Sequence, residues 1–171
     1  MLDEGAANGL PSVNIGGSGE ATLHPEFLNI CKAVMDRNVM ELRVLSNGLK
    51  LDQDIAEAMI DMQLHMFSIS IDGFSVQSYG KTRGKSIHNE RCVENARKFG
   101  EYKKKVGSVW PLFRVSFVKQ EANAHEASEF LEYWSRYSDM VDIQTFHDFR
   151  SKDYSLEFDC SEPYRRLNVW A

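Results

Sequence analysis

Short apolar segments alternate with longer segments of helical periodicity, and this alternation constrains the fold more than any other feature of the sequence. Five apolar runs are predicted to be β-strands: Ser12–Gly16, Leu42–Ser46, Phe67–Ile71, Leu112–Val118 and Val141–Thr145. Helices are predicted before and between them, at Leu2–Ala7, Pro25–Asn38, Asp52–Met62, Ser86–Val106 and Ala124–Tyr137, with Asp52 as an N-cap. This order is typical of repeated βαβ units, so it predicts an α/β fold with a parallel sheet whose first and last strands form its edges.

The two faces of the predicted strands differ in polarity. Phe67 and Ile69 share one face of the third strand, whereas Ser68, Ser70 and Asp72 share the other. A doubly wound sheet is covered on both faces, so its strands should be apolar throughout. A closed and packed barrel would fill its lumen with branched aliphatic side chains. The pattern therefore favours an incomplete (βα) barrel with a polar ligand inside it, and the alternative is a sheet with one solvated face.

Composition excludes several functional classes. The 171 residues include 43% hydrophobic and 26% charged residues, with a net charge of −5, as expected of a globular protein. No basic run is dense enough to suggest a nucleic-acid partner. No apolar stretch reaches the length of a membrane span and no signal peptide is evident, so we expect no membrane partner and a cytoplasmic location.

The three cysteines, Cys31, Cys92 and Cys160, are far apart and none belongs to a Cys-x-x-Cys motif. This spacing argues against a disulfide scaffold and against a self-contained zinc site. Cys31 and Cys92 lie within apolar helical patterns, which predicts that both are small core residues.

Ligands of parallel α/β folds bind at the carboxyl ends of the strands, where this sequence has its motifs. A glycine-rich turn after the first strand carries Glu20. After the third strand, Ser70 and Asp72 could together hold two neighbouring hydroxyls, although Asp72 could equally cap a turn. After the fourth strand, the spacing of Asn123 and Glu126 predicts an N-cap and capping box.

Taken in order, these motifs resemble those of radical S-adenosylmethionine (SAM) enzymes. The resemblance rests on Gly17–Pro25 (Gly-Ser-Gly-Glu-Ala-Thr-Leu-His-Pro), Ser46–Gly48 (Ser-Asn-Gly), Ser70–Gly73 (Ser-Ile-Asp-Gly), Arg83 and Asn123. Their spacing is similar to that of strands two to six in the six-strand partial (βα) barrel of that family. The resemblance implies a barrel core over residues 1–150 and the start of a C-terminal extension over residues 151–171.

The resemblance also implies a set of SAM-binding residues. Ser18, Gly19 and Glu20 match the loop that binds the amino group of SAM, with Ser18 in place of the usual glycine. Ser70 matches the ribose contact, which Asp72 would assist. The remaining matches are the carboxylate partner Arg83, the adenine neighbours Val118, Gln144 and Thr145, and the loop supports Asn47 and Asn123.

Radical SAM enzymes cleave SAM reductively at a 4Fe–4S cluster and form a 5′-deoxyadenosyl radical. The radical abstracts hydrogen from a peptide, a protein or a small molecule, and the electron comes from a donor such as a flavodoxin or ferredoxin. The Cys-x-x-x-Cys-x-x-Cys motif that holds the cluster is absent from this sequence. We therefore expect a fragment of such an enzyme that is inactive by itself. The alternatives are a cluster-free α/β barrel module that only binds a nucleotide-like ligand, and an unrelated α/β domain.

The C-terminal segment contains a second resemblance. Cys160 and Pro163, followed by Leu167 and Val169, resemble the entry to a SPASM extension, in which cysteines bind an auxiliary 4Fe–4S cluster. This implies that Cys160 is a ligand of an auxiliary cluster completed by cysteines beyond Ala171. The alternative is a lone cysteine in a polar tail.

Overall fold

The structure, a computed structural model, describes residues 2–17, 19–73, 75–83, 89–146 and 166–169. Within these ranges one parallel sheet has the strand order β5-β4-β3-β2-β1-β6. The strands are β1 (Ser12–Ile15), β2 (Glu41–Ser46), β3 (Met66–Ser70), β4 (Leu112–Lys119), β5 (Met140–Thr145) and β6 (Arg166–Val169). The helices are α1 (Leu2–Ala7), α2 (Phe27–Met35), α3 (Gln53–Asp61), α4 (Val76–Arg83), α5 (Asn89–Val106) and α6 (Ala127–Trp134).

The predicted α/β fold and its five parallel strands are confirmed, with boundaries that differ by at most one residue. Strands β1 to β5 are adjacent in the order in which they occur along the chain. A doubly wound sheet instead reverses its strand order at a switch point. The order of β1 to β5 is therefore that of strands winding in one direction, as in a (βα) barrel.

Strand β6 was not predicted. Residues 166–169 pair in parallel with β1, so that Ser12 lies opposite Arg166 and Ile15 lies opposite Val169. The prediction that the first strand is an edge of the sheet is therefore wrong, whereas β5 has a single neighbour in the described ranges. The alternating Leu167-x-Val169 pattern suits a strand, but it is too short to identify one from sequence alone.

The apolar face of the sheet packs against the helices. Val13, Leu42, Phe67 and Phe113 are fully buried on this face. Helix α5 contributes Phe99, whose ring centroid lies 5.3 Å from that of Phe67 and 4.9 Å from that of Phe113. Burial of such side chains is worth about 1.5–3 kcal/mol each, which fixes this face against the helices and leaves the polar face on the opposite side.

One feature of the helices was predicted and one helix was not. The Asp52 cap is confirmed, because its Oδ1 accepts a hydrogen bond of 3.0 Å from the Ile55 amide at the start of α3. Helix α4 was not predicted because its sequence, Val76 to Arg83, has no apolar stripe. No helix in the described ranges combines the length and the apolar character needed to cross a membrane.

The prediction for two of the cysteines is also confirmed, because Cys31 and Cys92 are buried core residues. Burial raises the pKa of the Cys31 thiol to about 12, so the thiol is protonated at neutral pH. A protonated thiol in the core is neither a nucleophile nor a metal ligand.

Candidate functional site

A cavity of about 260 Å³ lies at the carboxyl ends of β1, β2 and β3. Its lining combines loop glycines, two hydroxyl residues, one carboxylate, one amide residue and one leucine, contributed by Gly17, Gly19, Glu20, Leu45, Ser46, Asn47 and Ser70. Four residues that the sequence analysis assigned to SAM therefore meet at one place: Gly19, Glu20, Asn47 and Ser70.

The Glu20 carboxylate is held by four donors. Its Oε1 accepts from the Thr22 hydroxyl at 2.6 Å, the Thr22 amide at 3.2 Å and the Ser46 hydroxyl at 2.7 Å. Its Oε2 accepts from the Asn47 amide at 2.6 Å. None of the ion pairs formed within the described ranges includes Glu20. Since each carboxylate oxygen accepts about two hydrogen bonds, Oε2 can accept a further donor from the cavity.

The loops around Glu20 are shaped by one close backbone approach and one hydrogen-bonded turn. Gly16 has φ +99°, and a Cβ built there would lie 2.4 Å from the Leu45 carbonyl oxygen, so any side chain would collide with β2. The Asn47 side chain accepts from the Leu49 amide at 2.8 Å, and the Gly48 amide donates to the Ser46 hydroxyl at 2.9 Å. Asn47 thus contributes to the site through its backbone amide and through the turn that its side chain stabilises.

Thr22 was missed by the sequence analysis, although it provides two of the four donors to Glu20. A hydroxyl residue two positions after an acidic residue is a recognisable turn signal, because the carboxylate can then accept from both the amide and the hydroxyl. Ser46 belongs to a predicted motif, but its contact with Glu20 spans 26 residues and has no local signal.

Ser70 and Asp72 follow the same strand but have different environments. Ser70 lines the cavity, and its hydroxyl lies 3.2 Å from that of Ser116. Asp72 is 6% exposed, and its Oδ1 accepts from the Val118 amide at 2.9 Å. The structure brings Ser70 to the cavity, whereas the Asp72 carboxylate binds the backbone of β4.

Asn123 joins the connections that follow β3 and β4. It is fully buried, with its Oδ1 accepting from the Gln120 amide at 2.6 Å. Its Nδ2 donates to the carbonyl oxygens of Asp72 at 2.8 Å and Val118 at 2.9 Å. Asn123 therefore supports these loops by bonding their backbone.

The predicted capping box is wrong. The Asn123 side chain makes no capping hydrogen bond to the turn of 3₁₀ helix at Ala124–Glu126. Glu126 is buried, and its Oε1 accepts from the Ser75 hydroxyl at 2.6 Å and the Ser75 amide at 3.2 Å. Both side chains reach across to the connection between β3 and α4, where Glu126 accepts from Ser75 and Asn123 donates to the Asp72 carbonyl oxygen.

The three predicted adenine neighbours are divided between the two faces of the sheet. Val118 and Gln144 are opposite each other in register and both are half-buried on the polar face. Thr145 is opposite Lys119, faces the other side and is exposed. The structure therefore brings Val118 and Gln144 together and separates Thr145 from them.

The remaining predicted residues are described in part or not at all. Arg83 is the last residue of α4, and only its backbone is described. Ser18 and Cys160 lie outside the described residues.

The described residues fit SAM but not an iron–sulfur cluster. A glycine-lined cavity with a carboxylate and a hydroxyl suits a ligand that carries an ammonium group and a sugar. Among the described residues, no group of three or more His, Cys, Asp or Glu side chains could hold a metal ion. These residues therefore offer no ligand set for a cluster.

Comparison with known proteins places the chain in a family. The model of the Radical SAM superfamily matches residues 1–116. A tungsten-containing aldehyde ferredoxin oxidoreductase cofactor-modifying protein from Pyrococcus furiosus is 24% identical over 124 residues, which cover 72% of this chain and 34% of that protein.

Two solved structures share the fold. The crystal structure of Streptococcus suis SuiB has a TM-score of 0.71 at 15% identity, covering 99% of this chain and 41% of SuiB. SuiB bound to the precursor peptide SuiA has a TM-score of 0.69 at 17% identity, covering 85% of this chain and 31% of that chain. The chain thus spans about a third to two fifths of the length of these relatives. The family model matches well over half of the chain and the motifs lie at the strand ends, so the chain belongs to the radical SAM superfamily.

Proposed function

We propose that this chain is the SAM-binding part of a radical SAM enzyme that modifies a peptide. The observation that carries the proposal is the Glu20 carboxylate, which lines the cavity, is held by four donors and forms no ion pair within the described ranges. With a 4Fe–4S cluster, bound SAM supplies a 5′-deoxyadenosyl radical that abstracts hydrogen from the substrate.

In this proposal the cavity orients the methionine half of SAM. The spare acceptor capacity of Glu20 Oε2 receives the SAM ammonium, in a charge-assisted hydrogen bond. The Gly16 and Gly19 loop lets the ligand approach the backbone, and Arg83 at the end of α4 pairs with the SAM carboxylate. Ser18 belongs to the same ammonium-binding loop.

The other half of SAM lies along the polar face. The Ser70 hydroxyl contacts the ribose, while Val118 and Gln144 flank the adenine. Asp72 and Asn123 act indirectly by holding the loops after β3 and β4. Thr145 takes part only if the ligand extends past the end of β5.

In this proposal the cluster takes its ligands from outside residues 1–171, because the sequence lacks the Cys-x-x-x-Cys-x-x-Cys motif and Cys31 and Cys92 are buried in the core. We propose that a longer protein supplies three cysteines, and that a flavodoxin or ferredoxin supplies the electron. Cys160 is proposed as a ligand of an auxiliary cluster in a SPASM-like extension. Cys160→Ala in that protein is then expected to lower iron content by one cluster and to leave SAM affinity unchanged, as measured by iron analysis and calorimetry.

A peptide is the proposed substrate class because SuiB, whose fold this chain shares, has been crystallised with a precursor peptide. The Pyrococcus furiosus relative is named for modification of a cofactor, so a small molecule is the second candidate.

The decisive experiment uses the longer protein, reconstituted without oxygen, reduced with dithionite and assayed for 5′-deoxyadenosine. We expect cleavage of SAM, and at low SAM concentration a lower rate in Glu20→Gln. Glu26→Gln is the matched control, since Glu26 is exposed and its carboxylate accepts only from the Asn29 side chain within the described residues. SAM binding without cleavage, in protein that takes up no cluster on reconstitution, would instead support the cluster-free module that only binds a nucleotide-like ligand.

A further inference from the structure

A charged cluster lies on the polar face of β4 and β5, separate from the residues that line the cavity. The Arg114 Nη2 donates to Oδ2 of Asp142, and the Gln144 Nε2 donates to the same oxygen at 2.7 Å. We call these three residues the Arg114 cluster. It matters because it lies on the face that the SAM cavity shares.

A row of polar side chains connects the cluster to the cavity. Ser70 lines the cavity, Ser116 is its partner in register on β4, and Asp142 is the partner of Ser116 on β5. The hydroxyls of Ser70 and Ser116 are 3.2 Å apart. Neighbouring strands are about 4.8 Å apart, so the backbones of Asp142 and Ser70 are separated by roughly 10 Å. A group bound at the cluster would therefore lie within one small molecule's length of the cavity.

The cluster has unused hydrogen-bonding capacity. Arg114 carries five N–H donors, and a single nitrogen, Nη2, is engaged within the described residues. Both hydrogen bonds to Asp142 end on Oδ2, which leaves Oδ1 to accept. The side chains of Arg114 and Asp142 are 16% and 38% exposed, so the pair is partly shielded from water and still accessible.

The charges of the cluster select among ligands. A free carboxylate would be attracted by Arg114 and repelled by Asp142, and an ammonium group would meet the opposite combination. An amide carries an acceptor and a donor and no net charge, so it can satisfy both residues at once.

We infer that the Arg114 cluster binds a backbone amide of the substrate, with the amide carbonyl accepting from Arg114 and the amide N–H donating to Oδ1 of Asp142. Gln144 is a positioning residue that orients the Asp142 carboxylate. This inference rests on the proposed function and deepens it, since it names a substrate group and the residues that receive it.

A purely structural ion pair would behave differently. Strands β4 and β5 are already joined by their ladder and by Asp139, which accepts from the Phe113 amide at 2.7 Å and pairs with Lys103. A partly exposed pair that only linked the strands would affect stability and would not respond to an amide ligand. The response to a ligand is therefore the property to measure.

The test is a titration of the ¹⁵N-labelled chain, followed through the Nε–H signals of its arginines. Arg114→Lys assigns the Arg114 signal by its loss. The probe is N-acetylglycine N-methylamide, and sodium acetate and methylammonium chloride are the comparison ligands at equal ionic strength. We expect a saturable shift of the Arg114 signal with the amide, and an affinity for either ion that is weaker by about threefold or more.

Two variants complete the experiment. Asp142→Ala should weaken amide binding about threefold or more, because it removes one of the two hydrogen bonds. If Asp142→Ala does not fold, Asp142→Asn is used in its place, and it should also weaken amide binding. Glu132→Gln is the control, since Glu132 is exposed on α6 and pairs with Arg136.

SAM titration of the same samples distinguishes failure of the amide inference from failure of the proposed function. An Arg114 signal that does not move, that moves equally with acetate, or that responds unchanged in the Asp142 variants would overturn the inference. If SAM still binds in that case, the proposed function stands. Failure of the unmodified chain to bind SAM would count against the proposed function instead.

Discussion

Two carboxylates, Glu20 and Asp72, follow strands at the same end of the sheet, yet the structure uses them differently. Glu20 lines the cavity and accepts three of its four hydrogen bonds on one oxygen. Asp72 is buried, and its Oδ1 accepts a hydrogen bond from the Val118 amide. Its backbone carbonyl accepts from the side chains of Asn123 and Thr82. A strand-end carboxylate is therefore available to a ligand only where the adjoining loops leave one of its oxygens facing a cavity.

This comparison defines two regions. The ligand region is the Glu20 loop with the ends of β2 and β3. The support region is the network of Asp72, Asn123 and Glu126, which ties the loops after β3 and β4 to the start of α4. Substitutions in the support region should primarily change stability, and those in the ligand region should primarily change SAM affinity.

The largest effect is expected for Asn123→Ala. The substitution would leave the Gln120 amide and the carbonyls of Asp72 and Val118 without this partner, so we expect a loss of roughly 3 kcal/mol in unfolding free energy. Urea denaturation measures it, with Asn29→Ala on the exposed side of α2 as the control. A loss no greater than that of the control would remove Asn123 from the support region.

Glu126→Ala should have the next largest effect, about 2 kcal/mol, because it removes the acceptor for both the amide and the hydroxyl of Ser75. Glu126→Gln keeps an acceptor oxygen and should restore most of the stability. Because Ser75 immediately precedes α4, the alanine variant should also weaken SAM binding through Arg83. Equal stabilities of the two variants in urea would show that the contact with Ser75 is not what Glu126 contributes.

Arg83→Ala is expected to lower SAM affinity about tenfold, through loss of the pairing with the SAM carboxylate. Arg83→Lys keeps the charge but not the planar fork, so its affinity should fall between those of the alanine variant and the unmodified chain. Calorimetry measures both. If SAM binds the alanine variant as tightly as it binds the unmodified chain, Arg83 lies outside the ligand region.

Ser70→Ala should lower SAM affinity less than these substitutions do, by about three- to tenfold, since one neutral hydrogen bond is lost. Ser116→Ala is the matched control, because it removes the other hydroxyl of the same 3.2 Å contact and Ser116 does not line the cavity. Equal effects of the two substitutions would mean that Ser70 acts only through Ser116.

The sequence predicted what depends on short-range patterns. The five strands follow from local apolar runs, and the Asp52 cap follows from a hydroxyl-or-carboxylate position directly before a helical period. The position of Glu20 at the cavity follows from one rule, that ligands of parallel sheets bind at strand ends.

What the sequence could not predict depends on contacts between distant residues. Asn123 and Glu126 have the spacing of a capping box, but the Glu126 carboxylate instead accepts from Ser75, 51 residues away. The local sequence pattern is the same for a capping box and for this long-range contact. Similarly, alternation predicts that Ser70 and Asp72 share one face of the strand. It does not predict that the Asp72 carboxylate binds the Val118 amide, because that contact depends on the neighbouring strand. Helix α4 lacks an apolar stripe, so tertiary contacts rather than periodicity identify it.

The most direct test of the comparison is calorimetric titration of SAM into the unmodified chain, Glu20→Gln and Asp72→Asn. Glu20→Gln should weaken binding about ten- to a hundredfold, because a charge-assisted hydrogen bond is lost. Asp72→Asn should change affinity by less than about threefold, because its Oδ1 can still accept from the Val118 amide. Unchanged affinity in Glu20→Gln, or an equal loss in both variants, would contradict the assignment of Glu20 to the ligand and Asp72 to the support.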